Sequence, residues 1–195
     1  MPVVESTMLE IGTKGPDFAL PDPDGRIFHQ SDVMGDQGLV VMFISNHCPF
    51  VVHVAEELTK IAEEYIDKGV GFVAIACSDL TTHPQDGPEK MREFSKEYHF
   101  PFPYLFDASQ NSAKAYKAAC TPDFYVLDAD GRVFYRGRLD ESTPRNDKPL
   151  TGKDLKNALE ALTSGENPPS NQIPSMGCSI KWKKGNEPEY AAMPK

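Results

Sequence analysis

No two cysteines in this chain stand three residues apart, although there are four of them, at positions 48, 77, 120 and 178. Neither a zinc ribbon nor a two-cysteine redox motif is therefore present. Four cysteines in 195 residues is also too sparse for a secreted disulfide scaffold. Long apolar runs are missing. The longest, Leu39 to Ile44, falls far short of the roughly 20 residues a membrane-spanning helix needs. Met1 to Leu20 lacks an apolar h-region and carries Glu5, Glu10 and Asp17, so it does not read as a signal peptide. Basic charge is scarce, with 20 Lys and Arg against 29 Asp and Glu, a net charge of −9. That balance argues against a nucleic-acid partner. The one basic cluster, Lys181 to Lys184, is broken by Trp182 and reads as a solvated patch. With no membrane segment either, the expected address is the cytoplasm, where a free cysteine stays reduced.

What is present is an alternation of buried strands and amphipathic helices. Leu39 to Ile44 is continuously apolar, as a strand covered on both faces should be. Beyond Cys48-Pro49, the residues Val51, Val54, Ala55, Leu58, Ile61, Ala62 and Tyr65 recur at helical spacing, and Gly69 marks the stop. Val70 to Cys77 is a second buried run. A helix from near Pro88 and a short strand at 102–106 follow, and Asp107 is placed to cap a helix through Tyr116 and Ala119. Hairpins are expected around Asp22-Pro23-Asp24-Gly25 and Asp128-Ala129-Asp130-Gly131. Thr151, with Asp154 three residues on, predicts a variant capping box opening the last helix.

This order implies an α/β fold: a mixed central sheet flanked by helices on both faces, with an N-terminal β-hairpin. One domain is expected over 1–165. Residues 166–195 form a C-terminal tail packed on that domain or trailing from it. A chain of this length buries roughly 70% of its extended surface and needs no metal or disulfide staple.

The strongest chemical signal is Asn46-His47-Cys48-Pro49-Phe50-Val51. A buried strand delivers Cys48 to the first turn of a long helix, with proline where its missing N–H costs least. The helix dipole favours a thiolate there by about 0.3–1 kcal/mol, enough for a modestly activated thiol and not a fully ionised one. A metal site built from His47, Cys48 and His53 lacks a fourth ligand at sensible spacing. Cys77 ends a buried strand and reads as core. Cys120 stands before Pro122 in a sharp loop, and Cys178 lies in the tail.

These residues resemble the thioredoxin-like superfamily, and within it the redoxin group related to alkyl hydroperoxide reductase and thiol-specific antioxidant proteins. Closest is a peroxiredoxin-like subgroup with one active-site cysteine. The resemblance runs from about Gly15 to Pro188. It rests on Pro16-Asp17-Phe18-Ala19-Leu20, the Cys48 segment, Cys120-Thr121-Pro122-Asp123-Phe124, Tyr135-Arg136-Gly137-Arg138 and Gly177-Cys178-Ser179-Ile180-Lys181-Trp182. It implies a thioredoxin fold in which Cys48 matches the first cysteine of the two-cysteine motif and Pro122 matches the cis-proline that faces it. Val51 stands where the second cysteine would fall. The peroxiredoxin pattern departs too: it would place its peroxidatic cysteine at Val51, Thr or Ser at Cys48 and Pro at Ile44.

Together these readings predict a thiol-dependent oxidoreductase with antioxidant character and no cofactor or metal. Cys48 would attack a protein disulfide, or a small thiol-derived or peroxide substrate. Cys120, Cys178 or an external thiol reductant would then complete the cycle, with Cys120 the better internal candidate. Asn46, His47 and Thr121 are expected to donate hydrogen bonds around the sulfur. Pro49, Phe50, Val51 and Pro122 would contact substrate, and Arg138 would help balance charge. The rival expectation is a non-catalytic binding module whose groove is formed by Phe50 and Val51 beside Pro122.

Overall fold

The continuous apolar run forms β4 (Gly38–Phe43), and every residue in it is buried. The computed structural model describes residues 3–192. β4 lies at the centre of a five-stranded sheet with β5 (Val70–Ala76), β6 (Tyr104–Phe106), β8 (Asp123–Asp128) and β9 (Val133–Gly137), in the order β6-β5-β4-β8-β9. The β4–β5 and β5–β6 pairs are parallel, and the β4–β8 and β8–β9 pairs are antiparallel. Period-2 alternation sorts the strand residues into two cores. Val40, Met42, Phe72, Ala74, Phe124 and Val126 face one of them, with α2 (Pro49–Ile66), α3 (Pro88–Glu97) and α5 (Lys153–Thr163). Leu39, Val41, Phe43, Val73, Ile75 and Tyr125 face the other, with α1 (Gln30–Val33) and α4 (Asn111–Ala115). The expected N-terminal hairpin is β2 (Ala19–Pro21) paired with β3 (Ile27–His29).

α2 buries the stripe its spacing predicts, from Val51 to Tyr65. Two helix starts differ from expectation. Asp107 accepts from the backbone N–H groups of Gln110 and Ser112, but the helix it caps runs only from Asn111 to Ala115. At α5 no capping box forms. The Asp140 carboxylate accepts from the N–H groups of Thr151 and Gly152, and Asp154 pairs with Arg138 instead.

The tail is built into the body. Its strand β10 (Met176–Ser179) lies between β1 (Val3–Glu5) and β7 (Cys120–Thr121) in a second, antiparallel sheet. The register sets Cys178 opposite Thr121 on one side and Val3 on the other. This small sheet joins residues 3–5 to 176–179, and β10 packs on α2.

Candidate active site

Cys48 is the N-cap residue of α2 and Pro49 its first helical residue. Its backbone carbonyl accepts from the N–H groups of Val51 and Val52, which fixes the first turn around it. The thiol is wholly buried and donates to the Thr121 carbonyl at 3.1 Å. The Thr121–Pro122 bond is cis, as the resemblance implies.

The other cysteines separate by strand geometry. Thr121 and Cys178 are cross-strand partners, so their side chains share a face of the small sheet, while Cys120 and Ser179 share the opposite face. Cys178 shares a buried cluster with Cys48 and lies close enough to interact with it; burial first, and that neighbour second, push its thiol up from its ordinary range. Cys120 turns the other way, to the hydroxyls of Ser6 and Ser175 and the carbonyl of Pro122. The thiol that shares the buried cluster of Cys48 is thus Cys178, where sequence proximity to Pro122 favours Cys120. Cys77 sits in the core on the far side of the main sheet.

Several expected roles change. The Asn46 side chain bridges the Gln85 carbonyl and the Tyr104 hydroxyl rather than approaching the sulfur. His47 also turns away: its Nδ1 is 2.7 Å from Asp86 Oδ2, and its ring stacks on His83 at 4.8 Å. Its Nε2 is buried without a hydrogen-bond partner. Thr121 reaches Cys48 through its carbonyl, as an acceptor; its hydroxyl lies 3.4 Å from that of Ser45. Arg138 is neutralised by Asp154 at 2.6 Å, so it supplies no free charge to the sulfur. His53 bonds Ser142 at 2.8 Å, and among the described residues no His, Cys, Asp and Glu group could hold a metal ion. Phe50 and Val51 are both buried, so they do not form the exposed apolar groove of the rival expectation. Helical phase turns Val51 into the core, while Val52 is exposed.

An open cavity of about 340 Å³ lies against Pro122, and none of the cysteines lines it. Phe50, His53, Pro122, Arg138, Ser142 and Met176 are among its walls. The loop after β9 closes one side, and Arg145 lies over the Phe50 ring at 5.5 Å. Phe50 and Pro122, both expected to contact substrate, are walls of this cavity.

Two buried carboxyls were missed by sequence reasoning. Asp86 is fully buried and accepts from the His47 backbone N–H at 3.3 Å as well as from its ring. Burial raises its pKa, but the hydrogen bonds from His47 and Ser78 outweigh that and hold it below the usual value. Asp123 follows Pro122 and is also fully buried. It accepts from the Ser6 hydroxyl, from the Ala119 N–H and Tyr125 hydroxyl, each at 3.2 Å, and from the Cys120 N–H. Burial pushes its carboxyl up to about 7, against the lowering effect of these donors. Asp123 stands in a motif the sequence makes conspicuous, whereas only the Pro84–Pro88 turn hints at Asp86.

The redoxin family model matches residues 10–159, most of the chain and all of the five-stranded sheet. The chain is a member of the Redoxin family. This redoxin is 51% identical to a conserved, uncharacterised protein of Geobacillus kaustophilus, whose crystal structure it matches with a TM-score of 0.92 over 94% of this chain and 97% of that one. A Sinorhizobium meliloti hypothetical protein is 43% identical, with a TM-score of 0.90 over 93% and 99% of the two chains. Among curated relatives, the thiol-disulfide oxidoreductase ResA of Bacillus thuringiensis subsp. konkukian is 24% identical, over 64% of this redoxin and 68% of ResA.

Proposed function

We propose that this redoxin is a thiol-dependent oxidoreductase in which Cys48 is the nucleophile and a disulfide the substrate. The observation that carries the reading is the placement of the Cys48 sulfur, at the start of α2 and against the Thr121 carbonyl. The helix start and the Thr121 carbonyl fix the position of the sulfur, as thiol–disulfide exchange needs. The 340 Å³ cavity next to Pro122 has room for the side chains flanking a substrate sulfur. Support also comes from the family match and from the relative described as a thiol-disulfide oxidoreductase. A disulfide suits the site better than a peroxide, because the nearby cation, Arg138, is already paired with Asp154. The reading extends to the cytoplasm, where a thiol reductant would regenerate Cys48.

Turnover of a small aromatic disulfide, with dithiothreitol as electron donor, tests this. The wild type should exceed the dithiothreitol background, and Cys48→Ser should fall to it. A wild type no faster than background, or an undiminished Cys48→Ser variant, overturns the assignment.

A further inference from the structure

We propose that Cys178 is the second redox cysteine and closes a disulfide with Cys48 after substrate attack. This rests on the nucleophile assigned to Cys48 and adds the group that ends the mixed-disulfide stage.

Three observations converge. The two thiols lie close enough to interact and belong to the same buried cluster. Their elements meet at one residue: Thr121 accepts from the Cys48 thiol through its carbonyl and is the cross-strand partner of Cys178. The backbone beside Cys178 is shaped for that closeness. A Cβ on Gly177 would stand 2.0 Å from the Thr121 carbonyl oxygen, so only glycine lets β10 lie this close to β7. Gly177 is therefore a positioning residue for Cys178. Cys120, two residues from Pro122 in sequence, faces Ser6 and Ser175 from the opposite face of the small sheet.

The step balances as follows. The Cys48 thiolate attacks one sulfur of R–S–S–R′, forming Cys48–S–S–R and releasing R′S⁻, which takes up a proton. Cys178 then attacks the Cys48 sulfur as its thiolate. The Cys48–S–S–R bond breaks, the Cys48–Cys178 bond forms, and RS⁻ takes the proton Cys178 gave up. Two protein thiols have been oxidised and one substrate disulfide reduced to two thiols. An external dithiol supplies the two electrons and two protons that restore Cys48 and Cys178, and becomes a disulfide itself.

The test mixes full-length reduced protein with oxidised glutathione, quenches with N-ethylmaleimide and maps the products by mass spectrometry. The wild type should yield a Cys48–Cys178 crosslinked peptide, with Cys77 and Cys120 still alkylated. Cys178→Ser, and Cys178→Ala as a second variant, should stop at glutathione on Cys48. Gly177→Ala should close the internal bond at least about tenfold more slowly than the wild type once the Cys48 adduct has formed, the effect expected of a small misplacement. A Cys48–Cys120 crosslink, or a wild type that accumulates the Cys48 adduct as Cys178→Ser does, overturns the role of Cys178 and leaves the nucleophile standing. If Cys48 acquires no glutathione in any variant and forms no crosslink, the underlying assignment of the nucleophile fails as well.

Discussion

Asp123 makes the stability of this protein depend on pH in a direction opposite to that of an ordinary paired carboxylate. Its ordinary value is 3.8, and burial raises it to about 7 in the folded chain. Between those values the unfolded carboxyl has lost its proton while the folded one keeps it. The folded state then binds more protons, so stability falls as pH rises. The contribution is fully present below about pH 4 and is lost as pH rises through about 7. At about 1.36 kcal/mol per pH unit, the loss sums to roughly 4 kcal/mol, a large part of a typical domain's 5–15 kcal/mol. The perturbation is Asp123→Asn. The amide cannot ionise, so its own pH term vanishes. It also puts an N–H₂ where a carboxylate oxygen accepted, so a neighbouring hydroxyl must turn round to accept or a hydrogen bond is lost, which costs about 1–3 kcal/mol at every pH. Urea unfolding of both proteins, in steps of about one unit from about pH 5 to about 8, separates the two effects. The wild type should lose stability relative to the variant by about 1.4 kcal/mol per unit up to about pH 6.5, and the difference should level off near pH 8. Parallel curves across the whole range would show that Asp123 is already ionised in the folded state, its four donors outweighing burial, and would refute the reasoning.

The buried Asp86 carries the opposite sign. Its value is depressed, so its stabilisation is present above the ordinary carboxylate range and is lost as pH falls; Asp86→Asn should cost about 2–3 kcal/mol at neutral pH in urea unfolding and flatten the acid limb. Gly71 packs its Cα face on the α1 segment, where a Cβ would meet the Val33 carbonyl oxygen at 1.8 Å; Gly71→Ala should lower stability by about 3 kcal/mol in the same assay while disulfide turnover per folded molecule is unchanged.

The central sheet was legible because its residues obey a short-range rule. A strand covered on both faces must be apolar at every position, and Leu39 to Ile44 is. The α2 stripe follows a similar rule at the helical period. The small sheet β1-β10-β7 follows none that sequence displays. β10 reads Met-Gly-Cys-Ser, carries no β-branched residue, and is joined by register to strands near residues 3 and 121. Long-range pairing of short strands leaves no local period to detect. The two helix caps show a related failure. Thr151 and Asp154 have the spacing of a capping box, but Arg138 claims Asp154, and the Leu139 carbonyl takes the N–H groups of Asp154 and Leu155 from outside the helix. At the site, adjacency in sequence pointed His47 toward Cys48, while a carboxylate 39 residues away captured its ring.

The same physics explains how a redoxin can keep a second redox thiol without the two-cysteine motif. In that motif the second cysteine would stand at Val51, in the first turn of α2, and here that position is filled by an apolar side chain in the core. Burying a polar or ionisable group there would cost core packing. The register of β10 supplies the thiol from the other side, on a strand held by backbone hydrogen bonds to β1 on one edge and β7 on the other. Pairing on both edges matters because exchange needs the attacking sulfur placed to within a fraction of an ångström, and a strand pinned twice is set more firmly than a free tail. β1 and β10 are therefore part of the chemistry. β1 closes the sheet that places Cys178, Gly177 lets that strand approach, and Thr121 is the residue at which the nucleophile and its partner meet.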